Sequence, residues 1–99
     1  MELAKFLQER NVDAHLLHLQ EIRNKEDWPN ARPQWIKAKP KDWSHYVVRV
    51  GDVVIDVTSR QLDPSNPHPN VMTLENLKKL WKTVETDNFL EKIVQELVA

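Results

Sequence analysis

The chain has 99 residues, with 14 basic against 15 acidic side chains, 40% hydrophobic residues, one Gly and no Cys. That length serves one hydrophobic core rather than two. A net charge of −1 gives no global pull toward nucleic acid or an anionic membrane. The lack of Cys excludes disulfides, cysteine metal sites and thiolate chemistry within this sequence.

No apolar run approaches the roughly 20 residues that a membrane-spanning helix needs. Met1-Glu2-Leu3-Ala4-Lys5 has neither the basic start nor the sustained apolar stretch of a signal peptide. The expectation is one cytoplasmic domain, with no membrane association and no cofactor.

Leu3, Phe6 and Leu7 recur at i, i+3 and i+4, which predicts a short amphipathic helix over 2–10 with Asn11 as its left-handed C-cap. A strand is expected over 12–19, although His15-Leu16-Leu17-His18 breaks the alternation. A strand sends His15 and His18 to opposite faces, so no metal site is predicted there. Residues 24–42 are polar and broken by Pro29, Pro33 and Pro40, a loop with at most one helical turn. Trp28, Trp35 and Trp43 punctuate it.

Residues 43–58 read as two β-branched strands joined at Gly51-Asp52, a pair suited to a type II′ turn. Pro64, Pro67 and Pro69 forbid regular structure over 59–70, with His68 an exposed loop residue. Thr73 caps a helix that buries Leu74, Leu77, Leu80 and Trp81. Thr86 or Asp87 then caps a last helix striped with Phe89, Leu90, Ile93, Val94, Leu97 and Val98. The predicted architecture is α+β, a three-stranded, largely antiparallel sheet with an N-terminal helix and two C-terminal helices.

The hairpin carries the chemistry. Its turn sets Val50 opposite Val53, Val48 opposite Ile55 and Val47 opposite Asp56, so His45, Val47, Arg49, Val54, Asp56 and Thr58 share one face. His45 is then diagonal to Asp56, within hydrogen-bond reach. An imidazole oriented by a carboxylate is the base half of a nucleophile–base–orienter triad. The plain alternative is a structural pair, with Arg49 competing for Asp56 as a salt-bridge partner. Ser44 alternates to the far face, which rules out a Ser44–His45–Asp56 triad.

The run His45-Tyr46-Val47-Val48 through Val54-Ile55-Asp56-Val57-Thr58, followed by Ser59-Arg60-Gln61-Leu62-Asp63, resembles the papain-fold toxins and glutamine deamidases of bacterial polymorphic toxin systems. It is similar, more distantly, to transglutaminase-like proteins. The resemblance implies a papain-like core, with His45 as the family histidine and Asp56 as its orienting acid. It also matches Gln61 to a motif residue without an assigned role, taken here as a binding position. Leu62 departs from the usual aromatic residue. Residues 2–14 resemble the remainder of the family's nucleophile helix running into its first strand. In the family the Cys at the start of that helix lies roughly two turns upstream, before residue 1. The chain is therefore expected to be a papain-like domain lacking its N-terminal nucleophile segment, either truncated or degenerate, and inactive as it stands. Its cytoplasmic setting would include that of a delivered bacterial effector.

The alternative function is a small non-enzymatic binding protein or inhibitor, docking on a larger protein through Trp28 and Trp35 or through the C-terminal helix. Exposed Trp and Arg on a loop are typical recognition residues. Arg32, Lys37, Lys39 and Lys41 interleave with the aromatics, but Glu26, Asp27 and Asp42 offset them, which argues against nucleic acid. The expected partner is a protein, as substrate or ligand, and the apolar C-terminal stripe offers a face for a homodimer.

Overall fold

The computed structural model describes residues 2–86. Helix α1 (Glu2–Glu9) leads to strand β1 (Ala14–Ile22), helix α2 (Pro33–Lys37) and the hairpin strands β2 (Ser44–Val50) and β3 (Val53–Asp56). Strand β4 (Asn70–Thr73), helix α3 (Leu74–Leu80) and strand β5 (Trp81–Thr86) follow. All strand pairs are antiparallel in the order β4-β3-β2-β1-β5.

The expectation of a three-stranded sheet is thus corrected to five strands, with three α-helices among the described residues. Strand β4 escapes the pattern because it is only four residues long and follows a proline-rich loop. Strand β5 escapes because Leu74, Leu77, Leu80 and Trp81 keep a helical spacing. The helix stops at Leu80, and Trp81 opens an extended segment, Trp-Lys-Thr-Val-Glu-Thr, rich in β-formers. The last helix expected beyond Asp87 lies outside the described residues.

Local signals hold elsewhere. Helix α1 ends in a Schellman arrangement: Val12 N–H donates to the Leu7 carbonyl at 3.0 Å and Asn11 N–H to Gln8 at 3.0 Å, with Asn11 at φ 60°. Thr73 caps α3, its hydroxyl accepting from Asn76 N–H at 3.1 Å. Gly51 has φ 59° and Asp52 is not positive, the pattern of a type II′ turn, and Val50↔Val53 and Val48↔Ile55 pair as expected.

Strand β1 sits between two neighbours and is covered on both sides, which explains its broken alternation. Leu16 lies on the face where α1 packs Ala4 against Ala14 and Val48. Leu17 and Leu19 face the main core with Val47 and Val54, under Trp28, Trp35, Trp43, Leu62, Leu77 and Trp81. Phe6, expected on the buried stripe of α1, is half exposed, and the Arg10 guanidinium lies 3.6 Å above its ring.

One backbone irregularity completes that core. Glu21 adopts φ 61° and the ladder steps from Gln20↔Thr83 to Ile22↔Trp81. Strict alternation after Leu17 and Leu19 would turn Ile22 to the opposite face. The left-handed residue swings it back, fully buried, into their cluster. The Glu21 carboxylate meets Lys82 Nζ at 2.6 Å beside this kink.

Candidate functional site

His45 and Asp56 come from adjacent strands on the face that carries the main core, and both are 8% exposed. His45 Nε2 lies 2.8 Å from Asp56 Oδ2. A carboxylate accepts only, so this nitrogen donates, and Nδ1 is the ring nitrogen left free of Asp56. The second carboxylate oxygen, Oδ1, accepts the Thr58 N–H at 2.9 Å and the Thr58 hydroxyl at 3.3 Å. Asp56 therefore closes an Asx turn at the end of β3 and holds a buried histidine with the same carboxylate. Arg49 does not compete for it. Its Nε donates to the Gly51 carbonyl at 2.7 Å, inside the hairpin turn.

The hydroxyls nearest the imidazole are already committed. Thr58 Oγ1 lies 3.4 Å from His45 Nε2, on the nitrogen that Asp56 occupies. Ser59 is 2% exposed and its hydroxyl donates to the Pro67 carbonyl at 3.5 Å. Ser44 is on the far face, as alternation requires, 2.8 Å from His18 Nε2, with His18 stacked on Tyr46. On its inner side the pair meets a cavity of about 20 Å³, walled by Trp28, Leu62, Met72 and Trp81 among others. That volume holds about one water molecule and no substrate.

The tryptophans divide. Trp28 packs on Trp43 at 5.5 Å and edge-on to Trp81 at 5.8 Å, partly buried against the main core. Trp35 packs on Trp43 at 5.4 Å, but it stays partly exposed and donates its Nε1–H to the Gln61 carbonyl at 3.1 Å. Trp35 and Gln61, singled out separately in the sequence, are thus brought together, and with Thr58 they line an open groove of about 730 Å³.

Arg32, Arg60 and His68 complete that groove. In the sequence Arg32 falls in the tryptophan loop, Arg60 in the run after β3 that carries the family resemblance, and His68 in the proline-rich loop. No spacing rule joins positions 32, 60 and 68, so only the fold reveals the cluster. Arg32 Nε donates to the Arg60 carbonyl at 2.9 Å, and Arg60 Nε to the Asn66 carbonyl at 2.9 Å. Among the described residues neither guanidinium pairs with a carboxylate, and no group of His, Asp and Glu is arranged to hold a metal ion. No helix there is long and apolar enough to cross a membrane.

Comparison with family models, curated proteins and solved structures found no match to this chain.

Proposed function

We propose that this chain is a non-catalytic binding domain: it keeps the His45–Asp56 pair of a papain-type ancestor as a structural clamp and takes its ligand in the neighbouring groove. The observation that carries this reading is the position of Thr58. It saturates the second oxygen of Asp56 from one side and lines the groove from the other. The pair beneath it is buried, hydrogen-bonded and backed by a cavity too small for a substrate. The groove is open, and its size falls in the roughly 300–1,000 Å³ range of ligand sites. Trp35, Val57 and Gln61 supply apolar and amide contacts in it.

The competing reading is a papain-type amidohydrolase whose thiol comes from another segment. It draws on the same 2.8 Å contact, since Asp56 would orient the imidazole and Nδ1 would take the proton.

Backbone and indole NMR spectra, recorded while a library of small polar fragments is titrated in, test the binding reading. Shifts are expected to gather on Thr58, Gln61 and the Trp35 indole. Fragments that instead perturb the opposite sheet face, around Tyr46, Ile55 and Val71, would overturn it.

A further inference from the structure

The charge in the groove is unlike that of the rest of the molecule. The whole chain is nearly neutral, yet among the described residues the charged side chains lining this surface are Arg32 and Arg60, with no acid beside them. Each guanidinium is tethered through Nε to a backbone carbonyl. Tethering one nitrogen restricts a long side chain before any ligand arrives, and leaves the two terminal Nη groups, four N–H donors, to bind. A planar fork of this kind matches the two oxygens of a carboxylate or phosphate. With neither guanidinium paired to a carboxylate among the described residues, the two arginines offer positive charge that an oxyanion can balance. Beside them Trp35 and Val57 present apolar surface, and the Trp35 ring is fixed by its bond to the Gln61 carbonyl.

We infer that the groove binds a small ligand through its oxyanion, a carboxylate or phosphate held between Arg32 and Arg60, with a flat apolar body against Trp35. This rests on the groove being the ligand site and adds the chemical class. Charge-assisted hydrogen bonds to such an anion contribute about 1.5–3 kcal/mol more than no bond at all, which is roughly tenfold to a hundredfold in affinity.

The experiment compares phenyl phosphate, phenylacetate and the neutral phenylacetamide, each titrated into the folded chain while the Trp35 indole signal is followed. At least one acid is expected to bind tenfold or more tighter than the amide, and to weaken as salt is raised. Preference for phenyl phosphate alone assigns a phosphate ligand, and preference for phenylacetate alone a carboxylate. Arg60→Gln should remove most of that preference; Arg60→Lys, which keeps the charge without the fork, should restore only part of it. Unchanged backbone spectra confirm that each variant is folded. Equal binding of acids and amide in the groove would overturn the oxyanion assignment while leaving the groove as a ligand site. Failure of all three to perturb the groove would overturn the assignment and count against the groove itself.

Discussion

Arg32 and Arg60 are joined by a hydrogen bond from the Arg32 Nε to the Arg60 carbonyl, across 28 positions of the chain. Two further bonds run in parallel: Arg32 N–H to the Leu62 carbonyl at 2.8 Å and Trp35 Nε1–H to the Gln61 carbonyl at 3.1 Å. The proline-broken loop before β2 is thereby stitched to the turn after β3, and the groove is the seam between them. Arg32→Ala should cost about 1 kcal/mol of stability, the usual worth of one exposed hydrogen bond. It should also speed amide exchange in the 59–63 turn. An exchange pattern identical to wild type would contradict the stitching.

If the His45–Asp56 pair is a clamp, its loss is a stability event. Asp56→Ala leaves the histidine N–H buried without its acceptor and opens the Asx turn, at a cost of about 2–3 kcal/mol. Asp56→Asn keeps an acceptor for Thr58 and should cost only about 1–2 kcal/mol. Urea unfolding measures both, and an Asp56→Ala change below about 0.5 kcal/mol, the level of ordinary surface substitutions, would rule out the clamp.

The tryptophans should separate by role. Trp43→Ala removes a side chain that is 1% exposed at the centre of the aromatic cluster, and about 3–5 kcal/mol of stability with it. Trp35→Ala loses one hydrogen bond and a partly buried ring, so its effect on stability should be near 1–2 kcal/mol. Its effect on fragment binding in the groove should be the larger one. Equal stability losses for the two would contradict the division.

Two left-handed positions make opposite predictions for glycine. Gly51→Ala meets no atom within 4 Å of the new Cβ, so its penalty is backbone strain alone, about 1 kcal/mol. At Glu21, glycine relieves strain and loses only the pair with Lys82, leaving stability nearly unchanged. A β-branched Glu21→Val should cost about 1–3 kcal/mol, because it cannot easily hold φ 61°. Thermal melts of the three variants check the order.

How much of this was legible depended on whether a signal is local. The α1 cap at Asn11, the Thr73 cap and the Gly51 turn depend on neighbours a few residues apart, and each matches its local signal. The His45–Asp56 contact was reachable because a two-residue turn fixes register, and register fixes which side chains meet. Strand β5 was hidden by a coincidence, since Trp81 falls where one more helical turn would place it. The kink at Glu21 had no signal at all, because a charged residue in a strand gives no hint of a positive φ. The groove was invisible for a different reason: it exists only where two irregular loops meet.

The central claim is that the imidazole–carboxylate pair supports binding and performs no chemistry. The direct measurement is ammonia release from a glutamine-bearing protein by a chimera in which a Cys-bearing helix precedes Glu2, alongside its His45→Ala variant. No release above background from either is the expected result. Release by the chimera that disappears in His45→Ala would contradict the account and make His45 and Asp56 catalytic residues.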